Sequence, residues 1–277
     1  MRAFRTLAIT CAFSAILAGA ALAQNLTPGE AAGEYKPTSG QAGKDVVWVP
    51  TPQALVDRML DMAKLTKSDF LIDLGSGDGR TVITAARRGA RAHGIEYNPE
   101  LVTLSERNAQ AAGVAGRATF ERADIFQSDF SKADVITLFL LPDLNLKLRP
   151  ILLKMKPGTR VVSNTFDMGD WKPDQQIEAP QNCISWCRAY KWIIPADVSG
   201  AWRLGESKLQ LTQTYQMLAG TLTRGGKVTP IRDAKMNGAA ISFTAGERRY
   251  IGRVTDGKMI GSSGGKQTWS ATRATGA

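Results

Sequence analysis

Apolar and polar positions alternate along this chain in two different rhythms, and the change between them falls near residue 198. In the first part, short apolar runs are separated by stretches with helical spacing. Leu55, Val56, Met59, Leu60 and Ala63 share one helical face, and Thr51-Pro52 before them reads as an N-cap with proline in the first turn. "FLIDL" (residues 70–74) reads as a buried strand, and residues 81–88 have the spacing of a helix packed on a sheet. "AHGIEY" follows as a strand, then a helix opened by Asn98-Pro99 and closed near Gly113. A short strand near residues 118–121, the apolar "DVITLFLL", a helix around residues 144–155 and the strand "TRVVSNTF" complete the series. Strands alternating with helices predict an α/β domain, a doubly wound parallel sheet covered on both faces.

From Val198 the helical spacing stops. "GAWRL", "KLQLTQTYQMLAGTLT", "AAISFTA", "RRYIGRV", "KMIGSS" and "TWSATR" alternate at period two between Gly, Asn and Asp. This predicts a small all-β antiparallel meander or barrel over residues 198–277, after an α/β domain over residues 46–197. Residues 24–45, rich in Gly, Pro, Ser, Thr and Ala without periodicity, read as a flexible lead-in.

The first 23 residues combine Arg2 and Arg5 with an apolar stretch ending in Ala21-Leu22-Ala23, the pattern of a cleaved secretory signal. Export to a bacterial periplasm is therefore expected, with no membrane span after cleavage. The 277-residue chain has a net charge of +10. Residues 24–197 carry 21 Lys+Arg and 21 Asp+Glu, whereas residues 198–277 carry 12 and 4. The surplus thus sits in the β-region, which suits either an anionic envelope partner or simply a soluble cationic surface. Cys183 and Cys187 can pair in an oxidising compartment if their Cα atoms come within about 7 Å; two buried thiols are the alternative. His93 is the sole histidine, which leaves no zinc ligand set, and it reads as a buried core residue.

The candidate chemistry lies in "DLGSGDGR", which joins a strand to a helix. A dinucleotide turn needs G-x-G-x-x-G, but Arg80 stands where the third glycine belongs. What remains is Gly75, Gly77 and Gly79, with Asp73 at the strand end. A carboxylate there repels a pyrophosphate and accepts from an ammonium group. Glu96, ending the next strand beside Tyr97, is placed to take ribose hydroxyls, and Asp124 after the third strand can accept from an adenine amino group. An amine, a ribose and an adenine together describe S-adenosylmethionine.

"DLGSGDGR", "GIEYNPE", "ADIF" and "VITLFLLPDLN" resemble the motifs of class I S-adenosylmethionine-dependent methyltransferases, with their Rossmann-like sheet, over about residues 47–195. Within that class, "VPTPQALVDRML" and "MKPGTRVVSNTFDMGDW" resemble bacterial relatives of the lysine methyltransferases that modify the ATP synthase c-subunit and the adenine nucleotide translocase. The resemblance implies a cofactor-binding set of Asp73, Gly75, Ser76, Gly77, Gly79, Glu96, Tyr97, Asp124 and Ile125, and a protein lysine as methyl acceptor. Many amino-methylating relatives carry an Asn/Asp-Pro-Pro-aromatic tetrad after the fourth strand; this chain has Leu140, Leu141, Pro142 and Asp143, which argues against a nucleic-acid base. Thr51, Pro142, Asn145, Asp167, Asp170 and Trp171 remain as candidates for the substrate mouth. Export conflicts with a cofactor made in the cytoplasm. The alternative function is therefore an exported, non-catalytic nucleotide-fold protein attached to the envelope through its basic β-region.

Overall fold

A computed structural model describes residues 35–179, 183–265 and 267–274. The leader expected at residues 1–23 lies outside the described residues. Strands β1 (Phe70–Leu74), β2 (Arg91–Glu96), β3 (Ala118–Arg122), β4 (Val135–Leu138) and β5 (Arg160–Asn164) are parallel neighbours in the order β3-β2-β1-β4-β5. Two further strands, β6 (Gln175–Glu178) and β7 (Arg188–Ile193), extend this sheet to seven. β7 runs antiparallel to β5, and β6 antiparallel to β7, so the expected all-parallel sheet carries one reversed strand, β7, before its edge strand β6.

The parallel strands are apolar on both sides because both sides are covered. Leu71, Ala92, Ala118, Val135 and Val162 meet helices α1 (Gln53–Met62), α2 (Arg80–Arg87) and α3 (Pro99–Ala111). On the other face Ile72, Ile95, Ile136 and Val161 meet α4 (Pro142–Leu152) through Leu148 and Leu152, with Trp171 and Trp192 filling the rest. Helices thus cover both faces, but three to one. The Asn98 side chain accepts from the Glu100 N–H at 2.8 Å and caps α3. Thr51 does not cap α1: Pro52 holds that position, and the Thr51 hydroxyl accepts instead from Asn164 Nδ2 at 3.1 Å.

The β-region is a closed barrel rather than an open meander. Its strands are β8 (Gly200–Leu204), β9 (Ser207–Thr214), β10 (Met217–Arg224), β11 (Lys227–Asn237), β12 (Ala240–Ala245), β13 (Arg248–Thr255), β14 (Lys258–Ser263) and β15 (Gln267–Arg273), each antiparallel to the next. β15 closes the ring by pairing with β8 through Thr272–Arg203 and Arg273–Trp202. Period two puts Trp202, Leu209, Met236, Phe243, Met259 and Trp269 inside and leaves Lys208, Lys235, Arg249 and Arg253 in water.

Sheet and barrel share a packed junction within one compact unit, residues 37–277. Trp171, fully buried, stacks on Tyr215 with centroids 5.6 Å apart and donates from its indole N–H to Gln216 Oε1 at 2.9 Å. Gln216 Nε2 donates back to the Lys172 carbonyl at 2.8 Å.

Candidate active site

The strand order reverses between β1 and β4, and in such sheets ligands bind beyond the strands' carboxyl ends at that point. A cleft of about 1050 Å³, partly open to solvent, lies there. Asp73, Gly75, Ser76, Gly77, Glu96, Tyr97, Asp124 and Ile125 all line it. Gly79 does not: it sits at the start of α2 with φ +80°, and a Cβ there would come within 2.9 Å of Phe120 and Ser105. Its absence of side chain lets α2 approach the sheet.

The glycine loop is held from below. Gly75 and Ser76 donate their N–H groups to the Ile95 carbonyl at 2.8 and 3.1 Å. On α3, Ser105 donates to the Gly77 carbonyl at 2.8 Å and Asn108 to the Asp78 carbonyl at 3.0 Å. Gly77 has φ +55°, and a Cβ on it would meet Trp48 Nε1 at 2.7 Å, so only glycine fits between the loop and that indole. The Glu96 carboxylate accepts from the Gly77 and Asn98 N–H groups, both at 2.9 Å.

Asp73 is buried, and its carboxylate accepts from the Thr137 hydroxyl at 2.6 Å. Burial pushes its pKa up to about 7, Thr137 works against that shift, and the negative charges of Glu96 and Asp78 add to it. A cationic ligand beside Asp73 is thus favoured twice, by attraction and by relief of like-charge crowding. The Ser76 hydroxyl, also buried in the cleft wall, has no hydrogen-bond partner among the described residues. Asp124 accepts from Lys44 Nζ at 2.8 Å and from the Phe126 N–H at 2.9 Å, and these bonds hold its carboxyl below the ordinary range. Three acids, a glycine cradle and one unpaired hydroxyl fit a ligand that carries an ammonium group, hydroxyls and an amino-substituted ring.

Residues 41–45, expected to belong to a lead-in, form part of the cleft wall together with residues 46–51. Gly40 donates to the Trp48 carbonyl at 2.8 Å and Trp48 to the Gln41 carbonyl at 2.9 Å, folding this segment back over the loop. Lys44 anchors it through Asp124 and lies 4.6 Å from the centroid of the Tyr97 ring.

Candidates for the substrate mouth divide. Thr51 lines the cleft. Pro142 begins α4 outside it, and Asp170 pairs with Arg149 and the Tyr215 hydroxyl at the barrel junction. Trp171 is interior to that junction and can touch no substrate. Asp167 accepts from the Gly169 N–H at 3.0 Å, closing a turn. Asn145 is buried below the turn after β5, donating to the Phe166 and Asp167 carbonyls at 3.1 Å. His93, half-buried, bonds the Thr119 hydroxyl at 2.8 Å on the sheet's β3 side, away from the cleft.

A family model described as the ANTKMT methyltransferase domain matches residues 73–175, a span that contains Asp73, Glu96 and Asp124. A protein-lysine N-methyltransferase of Saccharolobus islandicus is 44% identical over 136 residues, covering 48% of this chain and 84% of that relative. The chain belongs to this methyltransferase family. A lysine N-methyltransferase of Mus musculus, named for the c-subunit of ATP synthase, is 36% identical over 46% of the chain, which spans 51% of that protein's length. A crystal structure described as an RNA methyltransferase from Salinibacter ruber, in complex with S-adenosyl-L-homocysteine, is 50% identical with a TM-score of 0.51; the match covers 54% of this chain and 96% of that one. The methyltransferase uses S-adenosylmethionine, a cofactor whose ammonium, ribose and adenine donors suit the carboxylates of its cleft.

Sequence patterns did not point to Lys44, Trp48, Thr137 or Phe139. Lys44 and Trp48 act from a segment without periodicity, and Thr137 and Phe139 are ordinary members of an apolar strand. Cys183 and Cys187 are joined in a disulfide with Cα atoms 5.7 Å apart, which decides between the two readings of that pair.

Proposed function

We propose that this methyltransferase transfers a methyl group to a protein amine, the side-chain amine of lysine. The observation that carries the reading is the end of β4: Phe139 and Leu140 face the cleft there, and Leu140 stands where the tetrad carries the Asn or Asp that receives a base amino group, with Asp143 at its aromatic position. The Saccharolobus relative, named for protein lysine, supports it; the Salinibacter chain, named for RNA, favours the rival.

Bound S-adenosylmethionine supplies a methyl group already activated on sulfur. The protein's own part is alignment and dryness. Asp73 and Glu96 present negative charge to a cationic ligand, Gly75 and Gly77 let the backbone approach it, and Leu138, Phe139 and Leu140 exclude water. An amine must lose its proton before it can attack, and an apolar wall lowers its pKa in that direction.

Residues 1–23 support export, and the Cys183–Cys187 disulfide suits an oxidising compartment. The exposed Lys and Arg of the barrel suit an anionic envelope partner, whose attraction should fall as salt screens it over about 8 Å. The non-catalytic alternative is disfavoured because Asp73, Glu96 and Asp124 all still line the cleft. Incubation with methyl-labelled S-adenosylmethionine, an envelope protein fraction and an RNA fraction decides between acceptors: protease-sensitive, nuclease-resistant label is expected, and label lost to nuclease would establish the rival.

A further inference from the structure

Three aromatic rings meet at the carboxyl edge of the sheet, and each comes from a different strand end. Phe139 follows β4, Phe166 follows β5, and Trp186 precedes β7, which is antiparallel to β5 and so begins at the same edge. The ring centroids of Phe139 and Phe166 are 6.2 Å apart, those of Phe139 and Trp186 5.7 Å, and those of Phe166 and Trp186 5.9 Å. Phe139 also lines the cofactor cleft, so cleft and cluster share one ring. Trp186 is 41% exposed, which leaves the cluster accessible from solvent.

The cluster is held from the strand ends that carry it. Thr165, a β-branched residue, has φ +61°, and Trp186 has φ +58°. Such conformations are uncommon outside glycine and persist where surrounding bonds enforce them. At Phe166 the enforcement comes from Ser163 and Asn145, which both donate to its carbonyl, at 2.6 and 3.1 Å. Thr165 donates its N–H to the Arg188 carbonyl at 2.7 Å and its hydroxyl to Asn164 Oδ1 at 2.8 Å. Around Trp186 the enforcement is covalent, since the Cys183–Cys187 disulfide closes the turn that carries it. Asn164 in turn reaches Thr51 on the cleft wall at 3.1 Å, tying the two sites together.

We propose that Phe139, Phe166 and Trp186 form the binding site for the acceptor's alkylammonium side chain, with the disulfide holding Trp186 in place. This deepens the lysine reading and rests on it. Aromatic faces attract a cation, and their apolar bodies desolvate the methylene stem that leads an amine to the cleft. A methylated ammonium suits such a wall equally well, so mono- and dimethylated lysine remain acceptors.

The test uses the full chain saturated with S-adenosyl-L-homocysteine, and a lysine peptide as probe beside the same peptide with norleucine. Calorimetry should show the lysine peptide bound and the norleucine peptide bound about tenfold more weakly. Trp186→Ala and Phe166→Leu should each weaken the lysine peptide about tenfold and raise its KM more than they lower kcat, with S-adenosyl-L-homocysteine affinity unchanged. Cys183→Ser/Cys187→Ser should reproduce the Trp186→Ala effect. Because Trp186 is exposed, its variant retains the fold, which unchanged S-adenosyl-L-homocysteine binding verifies. Lysine-peptide affinity and KM within twofold of the parent in both aromatic variants would overturn the proposal while leaving the lysine reading intact. Failure of the lysine reading itself appears elsewhere, as wild-type label on RNA.

Discussion

Glu96 and Gly77 are joined by a 2.9 Å hydrogen bond from the Gly77 N–H to the carboxylate, while the same carboxylate faces the cofactor cleft. One side chain therefore shapes the glycine loop and presents an acceptor to the ligand. Glu96→Ala should weaken S-adenosylmethionine by about ten- to a hundredfold, the consequence of roughly 1.5–3 kcal/mol in lost and unpaired hydrogen bonds. Calorimetry measures it, and an unchanged Kd would show that the carboxylate does not face the cofactor.

Asp73 gives the cleft a pH dependence with a defined sign. Its pKa stands at about 7 against an ordinary 3.8, so the folded chain keeps this proton where the unfolded chain has released it. The group's contribution to apo stability is fully present below 3.8 and is lost as pH rises through about 7. Cationic cofactor prefers the ionised carboxylate, so its affinity should rise across the same interval. Asp73→Asn should bind more weakly and flatten both profiles; thermal melts and calorimetry across that pH range check the two slopes together.

Lys44 fastens the cleft wall to Asp124, the residue expected to receive an adenine amino group. Because that contact is exposed, its removal should affect rates more than fold. Lys44→Ala should speed cofactor release about two- to fivefold in stopped-flow dilution, and high salt should do the same to the parent. A release rate insensitive to both would mean that residues 41–51 do not retain the ligand.

The cleft was legible in the sequence because its chemistry is local to strand ends. Asp73, Glu96 and Asp124 lie at or just beyond the carboxyl ends of successive strands, and Gly75 and Gly77 between Asp73 and Arg80 mark a loop built for close approach, whereas Gly79 serves the packing of α2. Strands β6 and β7 were not, since "QQIE" is largely exposed and "RAYKWI" mixes two cations into six residues. Lys191 shows why: its side chain is buried and donates to the Met62 carbonyl at 2.9 Å, a partner 129 residues away that no local pattern announces. The "DMGDW" residues pointed towards the substrate mouth by proximity in sequence to β5. Their chemistry is taken up elsewhere: Trp171 stacks on Tyr215, Asp170 accepts from the Tyr215 hydroxyl and pairs with Arg149 of α4, and Asp167 closes its own turn.

That junction makes the barrel a support for the sheet, although no described residue of the barrel lines the cleft. A chain ending near Asp197 would expose Trp171 and leave its indole N–H unpaired. Trp171→Ala in the full chain should cost ~3–5 kcal/mol. Denaturant titration should show a lowered midpoint in one transition that both parts share. Two separate transitions, or a truncated chain as stable as the parent, would mean that sheet and barrel fold independently.

The central claim is methyl transfer to lysine, and locating the methyl group tests it most directly. Protein acceptor labelled by the parent enzyme should be digested and sequenced by tandem mass spectrometry, beside a reaction with Glu96→Ala. The expected result is label on the side-chain nitrogen of lysine, strongly reduced in the variant. Label on a carboxylate, on a nucleic-acid base or on a free metabolite, with lysine unmodified, would contradict it.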